Sequence, residues 1–410
     1  MIFSKNDDKK IEDVFKEENQ EKIDEAIKKN KKINIDFNKI KDLMNVDIKD
    51  ISKKFQNNRK KIQSLNKKKI TVVAFDVGSN TIKIVEGSYH KGELAVNKAV
   101  KSLTPKECIE DGKILNNSLL SNELKRIMRE NSIHAKYGIC TNNSTTIINR
   151  EILIPKVEDE EIQTVVRFEI QQYLPINLDD YVFQVTKLGE DEENNKLNVR
   201  VIAYPDKIAR GYYDMLRDME LKPHALDVNY NSLNKLANYF DQINGEQYDQ
   251  QKSVVFIDMG ASSLDVNIYS NGILQFTRII KAGGNYLDEV LIREFNINKE
   301  DLVKYKSKQV DLLDIDSQDK SVLYEIDDWI EKIEKIIQFY RNKNMGIDID
   351  NIFIYGGSAK LKGLCEYMTS KLSIDTELIE NISNVHFNSK TPIVNIYDYI
   401  NVIGSIIRLE

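Results

Sequence analysis

A chain of 410 residues, 41% hydrophobic and 30% charged, is long enough for two or more cored domains. It holds no run of about 18 apolar residues, and its opening MIFSKNDDKK lacks the apolar core of a signal peptide, so neither a membrane-crossing helix nor a secretory leader is expected. The net charge of −6 is uneven: residues 1–69 carry 20 Lys and Arg against 13 Asp and Glu, about +7, and the acidic remainder does not suit nucleic acid.

Residues 1–69 contain no Pro or Gly, and their apolar residues recur at helical spacing (Ile11, Val14 and Phe15; Ile40, Leu43 and Met44; Ile48, Ile51 and Phe55). These are sparse for a core. Two readings stay open: a partly disordered extension with marginal helices, or a docking arm for a partner or a membrane surface. The body, from residue 70, opens with an apolar strand, Val72–Phe75, that delivers Asp76 to the small-residue turn Gly78-Ser79-Asn80. A carboxylate at a strand end, followed by a turn with free backbone N–H groups, suits a phosphate–Mg²⁺ complex: the amides hold phosphate oxygens and the carboxylate reaches the metal through its waters. Lys83 follows on the outgoing strand, opposite Ile82 and Ile84, so it either points toward a phosphate or is a solvated strand lysine.

Leu119–Met128 reads as a helix, and Gly138–Cys140 and Thr145–Ile148 as strands. A small inserted α+β domain is expected at about 155–225. Glu158–Glu161 are expected in the first turn of its helix, where acid complements the dipole. Ile162, Val165, Val166, Ile170, Tyr173 and Leu174 form that helix's apolar stripe, which Pro175 stops. Val182–Leu188 and Leu197–Tyr204 read as strands around an acidic hairpin tip, Gly189–Asn195. A helix at Ile208–Met219, a strand at His224–Val228 and a helix at Ser232–Phe240 complete a first lobe, 70–250.

The second lobe, 251–410, begins with the stretch that organises the chain. Val254–Ile257 delivers Asp258 to Gly260-Ala261-Ser262-Ser263, and the whole segment overlays Val72–Ile82 without a gap at a constant offset of 182 residues. Asn271-Gly272 and Lys91-Gly92 close a hairpin in each copy. Repetition at domain spacing implies two similarly built halves facing one another across a cleft, with Asp76 and Asp258 as the Mg²⁺-facing pair. Helices follow at Tyr286–Phe295, Asp301–Lys308 and Val322–Tyr340. The strand Ile352–Tyr355 then enters Gly356-Gly357-Ser358, where backbone can approach a flat or anionic ligand closely. Ile396–Leu409 is expected as a closing apolar helix. Three dispersed cysteines and four dispersed histidines give no structural-zinc spacing and no catalytic triad.

Two matched phosphate-type turns and a later Gly-Gly-Ser turn, in this order, resemble the phosphate 1, phosphate 2 and adenosine loops of the actin-like ATPase superfamily. FDVGSNTIKIVE, ILIPKVEDEEIQTVVRFEIQQYLPINLDD, FTRIIKAGGNYLDEVLIREFNINKEDLVKYK and NVIGSIIR make residues 70–410 most similar to the PilM family of type IV pilus assembly proteins. The resemblance implies an α/β, two-lobed actin-like ATPase fold with a small inserted domain, to which the helical or partly disordered N-terminal extension is added. It implies bound ATP and Mg²⁺ with slow or no turnover. Gly283, Gly284 and Lys306 would also border the nucleotide. It implies a cytoplasmic scaffold at the inner face of the membrane, peripheral through its partners, that docks the cytoplasmic tail of a PilN-like membrane protein against the inserted domain and contacts other pilus assembly components. Alternatives within the fold are a filament-forming, FtsA-like division protein that self-associates, or a phosphotransferase. The latter needs a group to orient the attacking water, for which spacing does not decide between Asp227 and Asn231.

Overall fold

The computed structural model describes residues 69–173, 177–298, 301–314, 320–344, 346–388 and 395–408. Both readings of the N-terminal extension fall on residues outside these, as do Leu174, Pro175 and Leu409.

The first meander runs through β1 (Val72–Val77), β2 (Thr81–His90) and β3 (Glu93–Leu103). A short hairpin, β4 (Ile109–Glu110) and β5 (Lys113–Ile114), leads to α1 (Asn117–Glu130), whose N-terminus is capped by Asn116 accepting from the Leu119 N–H. Next come β6 (Tyr137–Asn142), β7 (Ile148–Pro155), α2 (Ile162–Tyr173), β8 (Tyr181–Asp191) and β9 (Lys196–Pro205). The first half ends with α3 (Asp206–Asp218), β10 (Lys222–Val228) and α4 (Asn229–Ala237).

A crossing hairpin, β11 (Gln242–Ile243) and β12 (Glu246–Gln247), precedes the second meander of β13 (Ser253–Met259), β14 (Leu264–Ser270) and β15 (Ile273–Ile280). Helices α5 (Gly284–Phe295), α6 (Leu302–Gln309) and α7 (Lys320–Lys343) follow. Then come β16 (Asn351–Tyr355), α8 (Leu364–Leu372), β17 (Thr376–Leu378), β18 (Val385–Phe387) and α9 (Ile400–Ile406).

The two large sheets repeat one plan. The first has the order β10-β6-β1-β2-β3-β18 and the second β15-β14-β13-β16-β17. In each, a meander's first strand lies antiparallel to its second and parallel to the strand that arrives later, β6 or β16. Alternate residues of β13 enter different cores: Val255, Ile257 and Met259 pack with α5 and α7, whereas Val254 and Phe256 join the core of the first sheet. A strand buried on both faces reads as a continuous apolar run, as Val254–Ile257 does.

The small sheet β7-β9-β8 carries α2 on one face, over a core of Ile154, Ile162, Val166, Ile170, Leu197, Val199 and Val201. Its elements span 148–205, not 155–225, because α3 and β10 pack in the first large core. Glu158–Glu161 form the turn before α2 rather than its first turn, and the closing helix is α9 preceded by a 3₁₀ turn at Ile396–Asp398. Among the described residues no helix is long and apolar enough to cross a membrane.

Candidate nucleotide cleft

Backbone register lines up the polar side chains. Cross-strand partners in the first sheet run Asp227–Thr141–Asp76–Lys83–Lys101, from β10 to β3. In the second sheet they run Asp265–Asp258–Tyr355. Directly paired residues share a sheet face, so each sheet presents a polar row near the C-terminal ends of its parallel strands, the usual ligand edge of such sheets.

The turns that follow β1 and β13 are the same object. The Gly78 N–H donates to the Thr81 carbonyl at 3.1 Å, and the Gly260 N–H to the Ser263 carbonyl at 3.0 Å. Each turn is braced by a hydroxyl from another segment: Thr104 Oγ1 donates to the Gly78 carbonyl at 2.7 Å and Ser358 Oγ to the Gly260 carbonyl at 3.1 Å. The turns face one another, with Ser79 Oγ 3.2 Å from Ser262 Oγ and Asn80 Nδ2 donating to Asn285 Oδ1 at 2.6 Å. The backbone N–H groups of Ser79, Asn80, Ala261 and Ser262 donate to no acceptor among the described residues. Four free amides on two apposed turns offer the donors that an anion would need.

Charge in the cleft is unbalanced. Lys83 Nζ lies 3.3 Å from Asp76 Oδ2. Burial alone would lower the Lys83 pKa, but Asp76 and Asp258 outweigh it and hold it above the ordinary value. Lys83 therefore faces the carboxylates rather than solvent. Its counterpart in the second copy is a carboxylate, Asp265, paired in register with Asp258 as Lys83 is with Asp76. Withdrawal from water, with Asp265 nearby, raises Asp258; burial, with Asp76 nearby, raises Asp265 although Asn143 and Ser263 donate to it. Asp76 and Asp258 thus share Lys83, and among the described residues no lysine pairs with Asp265. A divalent cation fits this excess of negative charge. Among the described residues no three Asp, Glu, His or Cys side chains enclose a metal site.

The third turn closes on the second. The Gly356 N–H donates to the Tyr397 carbonyl and the Ser358 N–H to the Met259 carbonyl, both at 2.9 Å. Gly356 has φ +93°, and a Cβ there would collide with Asp258 Oδ1, whereas one on Gly357 would stand in open space. Gly283 and Gly284 sit against the second turn: the Gly284 and Asn285 N–H groups donate to the Gly260 and Ala261 carbonyls. The first amides of α5 therefore brace that turn. Lys306 Nζ bonds Asp288 Oδ1 at 2.5 Å, and Lys101 Nζ bonds Asp398 Oδ1 at 2.6 Å. Partial burial, then the charges of Lys101 and Lys306, lower the Lys360 pKa.

The Asp227 carboxylate is engaged by three neighbours. It accepts from Lys235 Nζ at 2.6 Å and from Asn231 Nδ2 at 2.7 Å, and lies 3.5 Å from Arg408. Through Lys235 and Arg408, Asp227 links β10 to α4 and to residues 407–408. Asp265 and Asn285 went unnoticed in the sequence, although the 182-residue offset carries Lys83 onto Asp265.

A second concavity, of about 640 Å³, lies between α3 and the edge strand β10. Ala209, Tyr213, Leu216, Pro223, Ala225 and Leu226 give it an apolar lining, with Asp206 and Arg210 on the α3 side. Asp206 directly follows β9, the central strand of the small sheet.

A model of the family described as type IV pilus assembly protein PilM matches residues 74–396. Among solved structures, a PilM–PilN type IV pilus biogenesis complex superimposes with a TM-score of 0.69 at 19% identity, covering 82% of this chain and 96% of that one. The ethanolamine utilization protein EutJ from Carboxydothermus hydrogenoformans gives 0.47 at 14% identity, over 82% of this chain and 88% of its own. MreB5 of Spiroplasma citri bound to AMPPNP gives 0.44 at 12% identity, over 76% and 91%. The chain belongs to the PilM family of type IV pilus assembly proteins and has the two-lobed actin-like ATPase fold with a small inserted domain.

Proposed function

We propose that the chain is an ATP-binding scaffold of a type IV pilus inner-membrane assembly platform, with slow or no turnover, that docks the cytoplasmic tail of a PilN-like membrane protein. The observation that carries the nucleotide half is the pair of apposed turns with four free amides. Ser79, Asn80, Ala261 and Ser262 would hold phosphate oxygens, and Lys83 would supply a cation beside them. Asp76 and Asp258 would face Mg²⁺ through its waters, the ion neutralising phosphate charge. Gly283, Gly284, Gly356, Gly357, Ser358 and Lys306 would border the rest of the nucleotide.

Support for the partner half comes from the groove beside β10. It is largely apolar and is lined by the edge strand β10, where an extended peptide gains main-chain hydrogen bonds. The superimposable PilM–PilN complex names such a partner for its own chain. Attachment to the membrane would then come through that tail. A synthetic peptide carrying a PilN-like cytoplasmic N-terminal tail is the probe. Ala209→Trp, which fills the groove, is expected to weaken its binding by about tenfold or more, equivalent to about 1.4 kcal/mol. Undiminished binding to a folded variant would remove the groove from the proposal.

A further inference from the structure

We propose that Asn401, on the C-terminal helix α9, is a positioning residue that orients Asp258 toward a nucleotide-borne Mg²⁺; this rests on the reading of the cleft as a Mg·ATP site. Asn401 Nδ2 donates to Asp258 Oδ2 at 2.7 Å and is the only side-chain donor to that carboxylate among the described residues. The amide is itself oriented. Tyr355 OH donates to Asn401 Oδ1 at 3.0 Å, which leaves the NH₂ end for Asp258. Tyr355 is also the in-register neighbour of Asp258 across β13 and β16. Asn401 and Tyr355 are both buried, 3% and 2% exposed, so neither is free to turn toward solvent.

The other oxygen, Asp258 Oδ1, occupies the space a Cβ on Gly356 would need. The carboxylate is thus clamped between an amide on one side and a glycine on the other. The chemistry of the donor matters. Lys83 bonds Asp76, and a lysine at position 401 would cancel the charge of Asp258. A neutral amide fixes the carboxylate's direction without placing a further cation against it. Partners that orient metal-facing groups in this way typically change metal affinity about 10- to 100-fold when removed.

The test is ATP affinity measured in Mg²⁺ and again in EDTA, on wild type, Asn401→Ala and Tyr355→Phe. In Mg²⁺, Asn401→Ala is expected to lose about tenfold, and Tyr355→Phe, which keeps the packing and removes only the orienting hydroxyl, to lose less in the same direction. In EDTA both are expected to match wild type within about twofold, because the lost function acts through the metal. Should Asn401→Ala fail to fold, Tyr355→Phe alone carries the comparison. Equal losses with and without Mg²⁺ would mark a merely structural residue and overturn the inference, as would no loss in either variant. Absence of ATP binding in wild type would instead remove the nucleotide reading itself.

Discussion

Asp265 shows what a single side chain reveals about the cleft. It is 5% exposed and accepts from Asn143 Nδ2 at 2.7 Å and Ser263 Oγ at 3.0 Å, yet has no lysine of its own. Burial raises its pKa, so the folded protein holds a proton there that the unfolded chain releases. Where the folded state binds more protons, stability falls as pH rises. The penalty is therefore absent below the ordinary carboxylate range, near 4, and complete once pH exceeds the raised value. Asp265→Asn is expected to stabilise the nucleotide-free protein at pH 8 by on the order of 1 kcal/mol, with the advantage shrinking as pH falls toward 4. Melting temperatures across that range decide it; a gap that stays constant or widens toward acid would contradict the charge balance described for the cleft. The sequence contained this residue's signal. Aligning the repeat by its turns draws attention to Asp76 and Asp258, and carrying the same offset seven residues further sets Lys83 against Asp265.

At the scale of elements, two helices occupy the seam between the large sheets. Gly404 of α9 lies so close to the Ser232 backbone of α4 that a Cβ would overlap it. Around this crossing, Thr141 Oγ1 bonds Asn229 and Ser232, and Lys235 Nζ donates to the Ile407 carbonyl at 2.8 Å. Gly404→Ala is expected to push the helices apart and to cost about 1–3 kcal/mol, as overpacking of tight cores does. Thermal unfolding of Gly404→Ala beside Gly357→Ala, whose added methyl meets nothing, is the check; equal stability of the two would deny the close crossing. Elements of this length were legible from periodicity, since α1, α3, α5 and α7 and the first strand of each meander fall where apolar spacing put them, whereas β3 was not singled out. The seam was not. A glycine inside an apolar run reads the same whether or not another backbone crosses it. Asn401 and Asp398 likewise carry no signal until the chain's return brings them to the cleft. The three-residue β18, paired with β3, is too short for alternation to announce.

At the scale of the whole body, the two segments that pass between the lobes are joined to each other. Asn244 donates to the Leu378 carbonyl and accepts from the Glu380 and Asn381 N–H groups, while Ser383 Oγ accepts from those of Asp241 and Gln242. The lobes also meet through the hydroxyl and amide pairs of the facing turns, Ser79 with Ser262 and Asn80 with Asn285. The fold thus sets two copies of one phosphate-type turn against each other, and the repeat at an offset of 182 residues made that much readable in advance. The distances across the cleft, and the partners each carboxylate takes, required the folded chain.

The central claim is that this cleft holds Mg·ATP, and calorimetric titration of Mg·ATP into wild type and Asp258→Ala tests it most directly. Saturable binding by wild type, weakened about tenfold or more (1.4 kcal/mol) in a folded Asp258→Ala variant, is the predicted result. Wild type that takes up no nucleotide, or a variant that binds as well as wild type, would contradict it.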